Sequence, residues 1–265
     1  MRTSAELVGT GLFGEEQPRA ERTAAIMFAA AIAGAEIVGA VAGVVAGAVL
    51  DGLLLLALVN APMLGFVRPA SRLPVVLGLI PLLRIVSVAL PLRQIPQLAW
   101  YPLVGAPVLL AVVLAARMVN ISRASLRARR TGMAAQAAIA ISGIPIGGVA
   151  YLILRPRPLV SPLTWHSLLL STIVLLVFAA LIEELIFRWL LQDVAVRLLG
   201  PPGLVLANAL YASTYAGSLS AGFALFMGAV GLAFAVAVRG TGLLWGVVAA
   251  HALLDIGLLV IWPSL

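Results

Sequence analysis

The chain has no cysteine, which excludes disulfides, thiol catalysis and thiolate metal sites while saying little about compartment. It has no lysine either: all 17 basic residues are arginine, a bias we read as codon usage rather than chemistry. Histidine occurs only as His166 and His251, so imidazole chemistry has two sources at most. Charge of either sign is scarce, at 10% of residues, and no polar stretch is long enough to form a soluble module.

What fills the 265 residues instead is apolar: 63% are hydrophobic and the mean hydropathy is +1.14. Several separate runs exceed the roughly 18 residues a bilayer crossing needs, which defines an all-α, polytopic transmembrane bundle. The runs are continuous rather than alternating, and that excludes a barrel. We expect one compact membrane domain, with a loose polar tail over 1–22 and transmembrane helices over 23–160. The excess of arginine gives a net charge of +7. Because the arginines sit in short loops between apolar runs, they read as topogenic charge with some attraction to anionic lipid, not as a nucleic-acid surface. Glu6, Glu15, Glu16 and Glu21 precede the first apolar run and argue against a cleaved signal peptide.

In chain order, the spacing predicts helices over 24–42 and 44–64, split near Gly43, with Glu36 and Asp51 buried one in each. These two acids either form a second polar focus or hydrogen-bond across a helix pair, the commoner outcome. Pro74, Pro81 and Arg84 interrupt the run 73–90, which reads as a kinked or partly interfacial helix, followed by Pro91, Arg93 and Pro96. Trp100 and Tyr101 read as interface anchors. Spans at 102–119 and 133–154 flank the densest positive cluster, Arg117 to Arg130. Gly143, Pro145, Gly147 and Gly148 allow a bend or close packing in the second. After the segment 165–192 comes the tight break LGPPG (199–203), a short helix over 204–216, and spans over 223–238 and 243–261, eight or nine helices in all. Arginine asymmetry places the 117–130 loop, the N-terminus, Arg68, Arg72, Arg197 and Arg239 in the cytoplasm if 73–90 crosses; Arg155 and Arg157 then fall outside.

Chemistry enters in 165–192, WHSLLLSTIVLLVFAALIEELIFRWLLQ. Glu183 and Glu184 stand before its apolar character ends, where an ionised group costs at least about 2.5–3.5 kcal/mol and should face protein or a wet cavity. Glu184 and Arg188 are four apart and can pair, whereas Glu183 points about 100° away round the helix. One neutralised acid beside one free acid suits water activation; a structural ion-pair network is the plainer alternative. The last helix adds His251 and Asp255, four apart on one face. That imidazole can donate to an oxyanion, take a proton or bind a metal, and Asp255 can fix its tautomer or act as a second ligand. His166, beside Trp165, reads as interfacial.

These motifs resemble the CAAX-processing and bacteriocin-processing (CPBP) intramembrane proteases, which include the type II CAAX prenyl endopeptidases and the lysostaphin resistance protein A-like proteins. Their pattern is EExxxR, then FxxxH, then HxxxN or HxxxD. Glu183-Glu184-Leu-Ile-Phe-Arg188 matches the first and His251-Ala-Leu-Leu-Asp255 the third, with the resemblance covering about 165–258 and the core taken as 161–265. The second departs: Tyr211-Ala-Ser-Thr-Tyr215 puts Tyr215 in the histidine position. Tyrosine ionises near pH ~10, so it can hydrogen-bond a water but is a poor base.

The resemblance implies a hydrolase of a peptide or membrane-protein substrate in the lipid bilayer of a bacterial or archaeal cell, its site toward the cytoplasm. Glu183 would be the general base, Glu184 with Arg188 its orienting pair, His251 and Asp255 the oxyanion stabilisers, and Tyr215 a weakened water-positioning donor. A divalent metal such as zinc, if used, would take Glu183, His251 and Asp255; loss of the motif histidine favours glutamate-activated water without one. Two other classes stay open. One is a catalytically weak or inactive relative acting as a membrane scaffold or bacteriocin-immunity module; the other is a small transporter with Glu183 and Asp255 as proton relays, although no inverted repeat is visible.

Overall fold

The computed structural model describes residues 9–90, 94–120 and 132–265, which among themselves form helices and no strand. Pro91, Arg93, Arg123, Arg127, Arg129 and Arg130 lie outside the described residues, as does Glu6. Nine helical rods follow in order: α1 Gly9–Ala42, α2 Val44–Asn60, α3 Leu73–Ala89, α4 Gln97–Met118, α5 Met133–Leu154, α6 Trp165–Leu199, α7 Pro202–Ser213, α8 Ala221–Thr241 and α9 Trp245–Ser264. Six of them (Arg19–Ala42 within α1, then α4, α5, α6, α8 and α9) are long and apolar enough to cross a membrane, while α2 and α3 are shorter apolar helices.

The breaks fall where residue chemistry puts them. Gly43, at φ 104°, turns α1 into α2, and the two rods pack so closely that a Cβ on Gly47 would lie 2.7 Å from the Gly39 Cα. Helix α3 is interrupted at Gly78, as its prolines suggest, and runs as two pieces, Leu73–Leu77 and Leu79–Ala89. The stretch expected as a loose polar tail is helical from Gly9 onward. Its polar groups are held where they meet the bundle: Arg68 Nε donates to Glu21 Oε2 at 2.8 Å, and Arg22 Nε donates to the Leu198 carbonyl at 3.0 Å. Glu36 does not meet Asp51 in a hydrogen bond. It pairs with Arg84 of α3 instead, and both carboxylate oxygens of Asp51 are buried without a hydrogen-bond partner.

Helix α6 lies at the centre, with Leu175, Ile182, Ile186, Leu190 and Leu191 all fully enclosed. The outer faces stay apolar, through residues such as Val41, Leu56, Leu110, Leu152 and Leu225, as lipid contact requires. At one end of the bundle Arg197 shares a cavity with Arg68 and Arg72 and another with Arg239, so these arginines lie on one face of the protein.

The packing of α9 on α5, the most extensive between any two rods described, positions the last helix. The small residues 143 and 147 let the two backbones meet: a Cβ on Gly143 would lie 2.0 Å from the Ala250 carbonyl oxygen, and one on Gly147 would lie 2.8 Å from that of Leu254. Gln136 Oε1 also accepts from the Gly246 N–H at 2.8 Å. His251 sits between those two contacts. Because backbone cannot yield as a side-chain tip can, Gly143→Ala is expected to destabilise the protein by about 1–3 kcal/mol. Unfolding in detergent checks this; Gly34→Ala, where a Cβ meets nothing within 4 Å, should be close to neutral.

Candidate active site

Helix α6 is not uniform around its two acids. Its hydrogen bonding widens to the i→i+5 pattern over Leu176–Ala180 and again over Leu185–Leu191, leaving one α-helical turn, Leu181–Glu184, between them. Such wide turns re-aim side chains and recur at functional sites. The helix continues to Leu199, so Glu183 and Glu184 stand near its middle rather than toward its end.

The acids divide as their spacing suggests. Glu184 is fully buried, with Oε1 3.2 Å from Arg188 Nη1 and 2.7 Å from His251 Nδ1. The imidazole N–H at Nδ1 donates to that carboxylate, which ties α9 to α6 and leaves Nε2 facing inward. Glu183 is partly open, its side chain 28% exposed. Its Oε2 lies 3.8 Å from His251 Nε2, and Asp255 Oδ2 approaches the same nitrogen to 3.8 Å, within ion-pair range but not hydrogen-bonded. Glu183, Glu184, Arg188, His251 and Asp255 thus come together from two helices.

Tyr215 joins them. It sits in the 3-10 turn Thr214–Ser218 after α7 and donates its hydroxyl proton to Glu183 Oε2 at 3.1 Å. The Tyr211 hydroxyl is 2.9 Å from that of Tyr215. With the one Tyr215 proton committed to Glu183, Tyr211 must be the donor, giving a chain Tyr211→Tyr215→Glu183. Tyr211 is fully buried and carries the Arg188 guanidinium on its face, 3.8 Å above the ring centroid. Sequence reasoning passed over Tyr211 because it marks the phenylalanine position of the motif; the visible signal was its extra hydroxyl one helical turn before another tyrosine.

Two cavities meet at Glu183. One of about 330 Å³ is walled by Leu83, Trp100, Tyr101, Val104, Phe178 and Ile182. Another of about 180 Å³ is more polar, with Glu36, Arg84, Thr214 and Tyr215. Trp100 and Tyr101 therefore line the approach to Glu183; the Trp100 indole N–H donates to the Ile95 carbonyl at 2.8 Å. Aromatic residues near a helix start resemble interface anchors, so only the packing of α4 on α6 reveals this role. His166 is exposed, apart from the cluster.

The same residues were candidates to hold a divalent metal. Among the described residues, no group of three or more His, Asp or Glu side chains is disposed to do so. His251 Nδ1 is committed to Glu184 and Glu183 Oε2 to Tyr215.

Fold and site together define a helical membrane protein with an acid–imidazole cluster midway along its central helix. Residues 164–257 match the family described as Type II CAAX prenyl endopeptidase Rce1-like. The match takes in Glu183, Glu184, Arg188, Tyr215, His251 and Asp255. No curated protein and no solved structure matches the chain.

Arg188 and Glu184 are both enclosed, so removing one strands the other. Arg188→Met is expected to cost about 3–5 kcal/mol, the range for an uncompensated buried charge. Arg188→Met combined with Glu184→Gln should recover part of that loss. A double-mutant cycle in detergent checks the coupling; additive losses would mean the two charges do not depend on each other.

Proposed function

We propose that the protein hydrolyses a peptide bond within the membrane, with Glu183 as the general base. What carries this is the meeting of Glu183 and His251 from separate helices, 3.8 Å apart, with Glu183 lining a 330 Å³ cavity walled mainly by apolar and aromatic groups together with Ser87 and Gln97. That cavity suits a peptide segment carrying apolar side chains or a prenyl chain, and the arginine-rich end of the bundle supports a cytoplasmic orientation.

The steps follow from the groups present. Water in the cavity gives a proton to the Glu183 carboxylate as its oxygen adds to the scissile carbonyl carbon. The resulting oxyanion accepts a hydrogen bond from Nε2–H of His251 in its cationic form, whose other N–H is already held by Glu184. Asp255, beside the same nitrogen, stabilises that cation and orients the ring. Glu183 then returns its proton to the amide nitrogen, the C–N bond breaks, and a carboxylic acid and an amine leave; the acid's remaining proton passes to the amine, giving carboxylate and ammonium. Tyr215 and Tyr211 act as positioning residues: their hydroxyl chain fixes one Glu183 oxygen and leaves the other for water.

A second reading has its own support in Tyr215, which stands where the family pattern has histidine and occupies one Glu183 oxygen. On that reading the cluster is retained for binding, in a scaffold or bacteriocin-immunity module, and turnover is lost.

Purified protein with a fluorogenic farnesylated peptide distinguishes the two. The hydrolase reading predicts cleavage that falls about 10²–10⁴-fold in Glu183→Gln, the range for loss of a general base. Tyr211→Phe should cost only about two- to tenfold, the scale of one hydrogen bond. Absence of wild-type turnover together with strong gain in Tyr215→His would favour the scaffold.

A further inference from the structure

Tyr101 stands near the start of α4, on the wall of the cavity that Glu183 lines. It packs against the cluster of Leu159, Leu175, Ala179, Ile256 and Val260, which brackets the site. Ala179 lies four residues before Glu183 on α6, and Ile256 directly follows Asp255 on α9. The Asp255 and Glu183 carboxylates both bear electrostatically on the Tyr101 hydroxyl, Asp255 the more strongly. The hydroxyls of Tyr211 and Tyr215 are committed, whereas that of Tyr101 makes no hydrogen bond among the described residues.

The other polar groups on this wall are engaged or set apart. The Ser87 hydroxyl donates to the Leu83 carbonyl at 2.7 Å, and the Trp100 indole N–H donates to that of Ile95. Gln97 is exposed at the first position of α4, one turn before Tyr101. Tyr101 is left as the uncommitted donor on the side of Glu183 and Asp255. That side is short of donors. Both acids approach His251 Nε2 to 3.8 Å, and ionised carboxylates only accept. An oxyanion formed among them would meet one N–H, that of the imidazole. A phenol is a neutral donor that adds no charge beside two acids, and a fixed donor in a site largely closed to water counts for more than one in solvent.

We propose that Tyr101 is a second oxyanion donor, its O–H hydrogen-bonding the scissile carbonyl oxygen as that oxygen gains charge beside Nε2–H of His251. The phenol keeps its proton throughout. Tyr101 lies outside the matched stretch 164–257, so this catalytic residue comes from the N-terminal half of the chain. The assignment rests on the hydrolase reading above.

The test uses the full chain in detergent with the fluorogenic farnesylated peptide, and a phosphinic analogue of that peptide whose P–O⁻ stands where the oxyanion forms. Tyr101→Phe keeps the ring and its packing. It should lower kcat about 10²-fold with KM within about twofold, and weaken the phosphinic peptide by a similar factor, the pattern of an interaction made in the transition state. Leu98→Ala thins the same packing without removing a hydroxyl, so it should lower stability and leave the preference for the phosphinic peptide over substrate unchanged. Wild-type kcat in Tyr101→Phe, with Glu183→Gln inactive, overturns the inference and leaves the hydrolase standing. A rise in KM alone also overturns it, since Tyr101 would then only shape the cavity. No turnover by the wild type overturns both.

Discussion

One carboxylate holds the centre of this protein together. Glu184 is enclosed midway along α6, where its charge is tolerable only because Arg188 pairs with it and the His251 Nδ1–H donates to it. Those two contacts do different things. The ion pair lies within α6 and neutralises; the hydrogen bond crosses to α9 and fixes how the imidazole ring is turned. Every other site distance follows from that ring orientation, since the 3.8 Å approaches of Glu183 and Asp255 are both to its second nitrogen. Behind the ring, the close backbone contact of α5 and α9 at Gly143 and Gly147 keeps it from retreating.

The tyrosine pair shows two departures from a motif acting together. Tyr215 alone would put one hydroxyl on Glu183. Tyr211 adds a second hydroxyl behind it and presents a ring face to Arg188, so the two tyrosines connect the free acid to the neutralised one through a separate route. A buried hydroxyl without a partner is costly, which gives a physical reason for the pair to occur together: each satisfies a group the other would leave open.

Much of the helical framework was legible in the residues. Gly43, the LGPPG break and the bounds of 133–154 fall where φ demands, proline chemistry and apolar length place them. The grouping of Glu184 with Arg188, and of His251 with Asp255, followed from four-residue spacing. Three things did not follow. Spacing assumes a uniform 3.6-residue turn, so the wide turns flanking Glu183 were invisible. Hydropathy sees polar residues as an end to a helix, so it missed that α1 begins at Gly9. Nor does a sequence give the partner across a helix pair: Glu36 meets Arg84, not Asp51, and Trp100 and Tyr101 line a cavity together with Glu183.

The most direct measurement of the central interaction is ¹⁵N NMR of the imidazole. His166 and His251 are the only histidines, so His166→Gln leaves a single residue to observe. The structure predicts a proton on Nδ1 protected from exchange, and a shift of both ring nitrogens when Glu184→Gln exchanges its charged acceptor for a neutral one. A ring that exchanges freely with water, or that does not respond to Glu184→Gln, would contradict the account.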